Sequence, residues 1–196
     1  MRRLLLLAAL ALLVAGCGSS GKSSAPPPAK LDGTALEATR APDFALTDQD
    51  GRTVRLSALR GKAVLVTFLY THCPDVCPLI ATNLGLALRR LGPAASGVRA
   101  LAVSVDPKGD TAASVRGFVR AHRLPPQFRY LRGTRAQLAK VWRAYHIAAQ
   151  SSPENTVNHS AYTLLVDRNG DERALYDAQV KVGDVLHDLH ALGLVS

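Results

Sequence analysis

AVLVTFLY (Ala63 to Tyr70) runs directly into THCPDVCP (Thr71 to Pro78). The first octet is nearly all apolar and β-prone, the pattern of a central strand covered on both faces. Pro78 suits the first turn of a helix, where its missing N–H has no intrahelical partner to lose, and Gly92-Pro93 should end that helix. Cys73 and Cys77 therefore stand where a strand gives way to a helix.

Working outward, the same grammar repeats. ALAVSV (Ala100 to Val105) predicts a second buried strand. Val115, Phe118 and Val119 mark one face of a helix that begins near Asp110 and Thr111, with Asp110 as its N-cap. Gln127 to Leu131 reads as a short strand, and Leu138, Val141, Trp142 and Tyr145 share one helical face. AYTLLV (Ala161 to Val166), the turn at Asp167 to Gly170 and the run Glu172 to Tyr176 predict a hairpin, followed by a closing helix carrying Val185, Leu186, Leu189 and Leu192. Upstream, Phe44 to Leu59 folds back around Asp50-Gly51 as a small antiparallel ribbon. The sum is an α/β chain with a mixed central sheet, helices on both faces and an N-terminal β-hairpin.

A chain of 196 residues holds one such domain plus an attachment. Residues 1–16 carry Arg2 and Arg3, an apolar run from Leu4 to Val14 and the small pair Ala15-Gly16, which together read as an export signal. The run is shorter than the roughly 20 apolar residues that a spanning helix needs. Its ending, Val14-Ala15-Gly16-Cys17, resembles the lipobox of bacterial lipoproteins, which implies that Cys17 is lipidated and becomes the first residue of the mature chain. Residues 17–40 then form a tether, with Gly18 to Lys30 too poor in apolar residues to fold, and residues 41–196 form the domain. The expected location is the outer face of the bacterial cytoplasmic membrane, held by the lipid on Cys17.

The formal charge of +9 comes from scattered arginines, and no basic stretch alternates with aromatics. Export and this pattern argue against nucleic acid as a partner; a solvated basic surface is the plain reading of the charge, which could also favour an anionic lipid surface or an acidic partner protein.

Three cysteines, one of them assigned to lipid, leave Cys73 and Cys77 as a pair with a shared task. Free N–H groups and the helix dipole at a strand-to-helix turn stabilise a thiolate, which is both a nucleophile and a metal ligand. The spacing C-x-x-x-C is one residue longer than the C-x-x-C of disulfide exchangers. It lets two sulfurs converge on a metal and also permits a disulfide, so the spacing leaves both readings open. His72 adjoins the pair and at most modulates its charge, while His122 and His146 lie near expected helix ends. His187 and His190, three apart on one helix, could hold a metal, although a solvated boundary face is the plainer reading. Asp106 falls at the carboxyl end of a central strand, where open sheets place their sites. It either tunes the site from behind the ligands or shapes the loop with Pro107.

Three motifs, in this order, closely resemble the Sco (SenC) family of copper chaperones: Thr67 to Pro78, Val103-Ser104-Val105-Asp106-Pro107, and Val157-Asn158-His159-Ser160. The resemblance implies a thioredoxin-like fold in which Cys73, Cys77 and His159 bind a copper ion, as Cu(I) or Cu(II). It also implies a part in assembling the dinuclear copper centre of cytochrome c oxidase, with that enzyme's copper-bearing subunit as partner. Lys108-Gly109 stands where the family usually shows an arginine, which weakens any docking role for that loop but not the copper site. His159 occupies the place where thioredoxin-type redox proteins put a cis-proline facing the cysteines. Two soft thiolates and an imidazole suit copper, particularly Cu(I), whereas tetrahedral zinc would want a fourth ligand. The rival function is a thiol-disulfide oxidoreductase in which Cys73 attacks, Cys77 resolves and His159 matters little. Pro42-Asp43-Phe44 also resembles the opening of peroxiredoxins, but their Pro-x-x-x-Thr/Ser-x-x-Cys pattern is missing.

Overall fold

The structure is a computed structural model that describes residues 30–151, 157–159 and 161–196. Its centre is β4 (Ala63–Leu69), in which every residue is buried. Each fully buried Val, Leu or Phe side chain contributes about 1.5–3 kcal/mol, so this strand anchors the core. β5 (Val98–Ser104) lies parallel on one side, with Leu65 opposite Ala100, and β9 (Thr163–Val166) lies antiparallel on the other, with Leu65 opposite Leu165. β6 (Phe128–Leu131) extends the parallel half beyond β5. β10 (Asp171–Tyr176) and then β1 (Thr34–Arg40) extend the antiparallel half, giving the order β1-β10-β9-β4-β5-β6.

Four helices cover this mixed sheet among the described residues. α1 (Val76–Arg90) packs against α4 (Val182–Ala191). It also meets the turn after α2 (Ala112–Ala121) at Gly85, where an added Cβ would lie 3.0 Å from Leu124 Cδ2. α3 (Arg135–Ala144) covers the other face, where Tyr145 just beyond its end meets Phe68 of β4 and Phe44, with ring centroids 5.6 and 5.9 Å away. The arrangement is the expected thioredoxin-like α/β fold.

The ribbon around Asp50-Gly51 is β2 (Ala45–Thr47) paired with β3 (Thr53–Arg55). Asp48 shapes its turn by accepting the Asp50 and Arg52 amides at 2.9 and 2.8 Å, and Gly51 takes a φ of +82°. A bridge between Thr47 and Arg132 and a bond from the Tyr130 amide to Gln49 Oε1 dock the ribbon beside β6.

Two expectations need correction. Thr34 to Arg40, placed in the tether by the sequence reading, forms β1, which pairs with β10 from Thr34 opposite Leu175 to Arg40 opposite Asp171. Its residues are exposed except for half-buried Leu36, so no alternating apolar pattern announces it. Asp110 does not cap α2. Thr111 does, accepting the Ser114 amide at 3.1 Å, which releases Asp110 to turn inward.

A further hairpin, not foreseen, consists of β7 (Ala149–Ser151) and β8 (Val157–His159), with Ala149 opposite His159. Residues 1–29, with the export signal, Cys17 and most of the tether, lie outside the described residues. No helix among the described residues is long and apolar enough to cross a membrane.

Candidate metal centre

The centre forms where β4 ends. The Cys73 amide donates to the Tyr70 carbonyl at 3.3 Å, which turns the chain back over the sheet edge. Asp75 caps α1 by accepting the Val76 amide at 2.5 Å, so the helix starts between the two cysteines rather than after them. Cys77 lies in the first turn, and its amide donates to Cys73 Sγ at 3.4 Å. The positive end of the helix therefore faces the Cys73 sulfur.

Both cysteines are reduced, Cys77 fully buried and Cys73 7% exposed, so only Cys73 has a path to solvent. The Cys77 thiol hydrogen-bonds the Cys73 sulfur and is the main reason the Cys73 pKa falls from 9.0 to about 6. Burial opposes that fall, while the Asp75 and Cys77 amides and the Tyr70 hydroxyl assist it. For Cys77 the same hydrogen bond, joined by burial and by the charges of Cys73 and Asp110, pushes its thiol far above the ordinary value. The reduced pair is thus one accessible thiolate and one buried thiol sharing a proton. Such a pair can attack a disulfide, or it can receive a soft cation if the shared proton leaves.

Behind the loop sits Asp110, 3% exposed. Its carboxylate accepts the Thr71 amide at 2.8 Å, the Ser104 hydroxyl at 2.6 Å and the Tyr130 hydroxyl at 3.1 Å. Burial pushes the Asp110 carboxyl above the usual range against these three bonds, and burial followed by the Asp110 charge raises Tyr130. The sequence reading missed Tyr70, Ser104, Asp110 and Tyr130. The one available signal was that Asp110 precedes Thr111, itself a good capping residue, so the acid had no need to cap.

Asp106 follows β5 as expected and shapes its loop: its Oδ1 accepts the Lys108 and Gly109 amides at 3.1 and 3.0 Å. His72 is exposed beside Cys73 and reaches Thr71 Oγ1 at 3.2 Å through Nδ1. His122 ends α2, and His146 follows α3 with a φ of +53°. His187 faces carboxylates, with Nδ1 3.0 Å from Asp188 and 3.3 Å from Asp32. Asp188 already accepts the Asp32 and Gly33 amides and the Tyr176 hydroxyl, which accounts for this cluster as a clamp on the start of β1. His159 ends β8, so the structure sets it in a hairpin that follows α3; its side chain lies outside the described residues.

Three clefts in the surface are lined by other residues, one by Arg40, Leu56, Arg60 and Val64 at the opposite end of β4. Leu79, 49% exposed, is the large apolar side chain left uncovered among the described residues, and it lies in the same first turns of α1 as Cys77.

A mitochondrial SCO2 homolog from Bos taurus is 33% identical over 135 residues, which cover 65% of this chain and 50% of that protein. The chain thus spans about half to two thirds of the length of the curated relatives it matches. Among solved structures, Bradyrhizobium japonicum ScoI with copper bound superposes with a TM-score of 0.69 at 33% identity, covering 78% of this chain and 98% of ScoI. The apo Sco1 protein of Thermus thermophilus gives 0.72 at 33% identity, covering 83% and 97%. The family described as SCO1/SenC matches residues 33–193, a span that runs from the first residue before β1 through the cysteine turn to the end of the closing helix. With motif order, fold and matched span in agreement, this chain belongs to the SCO1/SenC family.

Proposed function

We propose that the protein is a membrane-tethered copper chaperone that takes up copper through Cys73, Cys77 and His159 and delivers it to the dinuclear copper centre in the copper-bearing subunit of cytochrome c oxidase. The observation that carries this reading is the pair of reduced, hydrogen-bonded sulfurs at the N-terminus of α1, in a chain 33% identical to a copper-bound ScoI. Two sulfurs that already share one proton need lose only that proton to present a soft, doubly anionic donor set, which suits Cu(I). An imidazole from His159 would complete a three-donor set. The tether is the polar segment after Cys17, with the lipid on that cysteine holding the domain at the outer face of the cytoplasmic membrane.

A second activity is supported by the low pKa of Cys73 and the burial of Cys77. The Cys73 thiolate attacks an acceptor disulfide, one acceptor sulfur leaves as thiolate, and Cys77 then displaces the other acceptor sulfur from the mixed disulfide. The acceptor gains two electrons and this chain ends as the disulfide. Reduction of the acceptor's cysteines would prepare them for copper.

An anaerobic Cu(I) titration of the reduced domain against a competing chelator tests the copper reading, with Cys73→Ala, Cys77→Ala and His159→Ala as variants. Each substitution should weaken binding at least about tenfold, equivalent to about 1.4 kcal/mol. Indifference to His159→Ala would remove the imidazole from the site, and no binding by the unaltered protein would leave the thiol reductase.

A further inference from the structure

We infer that Asp110 is a positioning residue for the cysteine loop: its buried carboxylate pins the Thr71 amide, two residues before Cys73, to the end of β5 and the middle of β6. This rests on the proposed use of the cysteine pair but adds a residue from outside the three motifs' ligands.

The geometry is specific. Oδ1 accepts the Thr71 amide at 2.8 Å, while Oδ2 accepts the Ser104 hydroxyl from the last residue of β5 at 2.6 Å and the Tyr130 hydroxyl from β6 at 3.1 Å. The Asp110 amide donates to the Asp106 carbonyl at 2.9 Å, so the acid is fixed from its backbone as well. Trp142 Nε1 donates to the Ser104 carbonyl at 3.0 Å and holds the same strand end from α3. The chain between Leu69 and Asp75 belongs to neither strand nor helix, and the Thr71 amide has its acceptor in Asp110 rather than in a sheet ladder. Without that acceptor the amide would be left unsatisfied in a part-buried turn, and the loop would move to recover a partner. Because Cys73 sits two residues on, such a movement changes where its sulfur meets Cys77. A local N-cap would not span three elements in this way.

Asp110→Asn and Asp110→Ala separate the acceptor from the rest. An asparagine carbonyl still accepts the Thr71 amide, and its NH2 faces two hydroxyls that can turn to accept. Alanine removes the pin. With the Cys73–Cys77 disulfide poised against a thiol buffer, Asp110→Ala should lower the equilibrium constant for disulfide closure about tenfold, a rise of about 30 mV for a two-electron couple. Asp110→Asn should stay within about threefold of the unaltered protein. Cu(I) affinity, read by chelator competition, should follow the same order, with Asp110→Ala weaker by about tenfold or more.

If the unaltered protein binds no copper, the copper reading fails, while the disulfide equilibrium still tests the pin. Hydrogen exchange in the unaltered reduced protein guards against an alanine variant that does not fold. The Thr71 amide should be protected at least about a hundredfold over an open loop amide, as expected for a donor bonded to a buried carboxylate. An exposed rate for Thr71, an unchanged disulfide equilibrium in a folded Asp110→Ala protein, or an Asp110→Asn protein as altered as Asp110→Ala would each overturn the inference.

Discussion

Replacing Cys77 with alanine removes the thiol whose hydrogen bond is the largest cause of the low Cys73 pKa. In the intact reduced protein Cys73 titrates at about 6 instead of 9.0. At pH 5 that shift leaves about one tenth of the sulfur as thiolate, about a thousand times the fraction of an unshifted thiol. The weaker base is also a weaker nucleophile: with a Brønsted coefficient of about 0.4–0.5, three pKa units cost about twentyfold in reactivity per thiolate. Intact Cys73 should therefore react with a small aromatic disulfide about 40-fold faster than the Cys77→Ala protein at pH 5, if that variant returns fully to 9.0. At pH 9 the order should invert, with the intact protein about tenfold slower. The assay is stopped-flow release of the aromatic thiol under anaerobic conditions from pH 4.5 to 9.5. The crossing of the two profiles removes any uniform effect of access, since Cys73 is only 7% exposed. A profile for the intact protein with its midpoint above pH 8, or two parallel profiles, would refute the shared-proton description. The sign for stability follows: with a folded pKa depressed below 9.0, Cys73 stabilises the reduced fold above that value, and the contribution is lost as pH falls through about 6.

Trp142→Phe removes the indole N–H that binds the Ser104 carbonyl at 3.0 Å and should cost about 1–3 kcal/mol in urea unfolding, with a loss under about 0.5 kcal/mol counting against that bond. Asp188→Ala strips the acceptor from the Asp32 and Gly33 amides and from the Tyr176 hydroxyl. It should cost about 3 kcal/mol and open residues 30–40 to limited proteolysis, and unchanged cleavage there would show that β1 is held by its pairing with β10 alone.

The alternation of strands and helices was legible because buried elements repeat their apolar residues with the period of their geometry. β4 is the clearest instance, buried on both faces and apolar at almost every position. The placement of Cys73 and Cys77 was legible for a local reason: the residues that end a strand and start a helix are neighbours in the chain, so the turn and its sulfurs are written together. α1 starts at Val76, inside the pair, and Pro78 lies in its first turn as the sequence reading expected. The family motifs added His159, whose position in β8 no spacing argument would have found.

What only the tertiary structure decided is held by contacts without period. β1 reads as TALEATR, exposed along an edge, and exists because its backbone pairs with β10 and its entry is clamped by Asp188, 156 positions from Asp32. Asp110 looked like a cap because capping is the local use of an acid before a helix. Its inward role depends on the Cys loop, the end of β5 and the middle of β6 meeting at one point. Burial of an apolar face leaves a rhythm in the sequence; backbone pairing at a sheet edge and a carboxylate satisfied by donors from three separate segments leave none, so those features follow from the assembled fold alone.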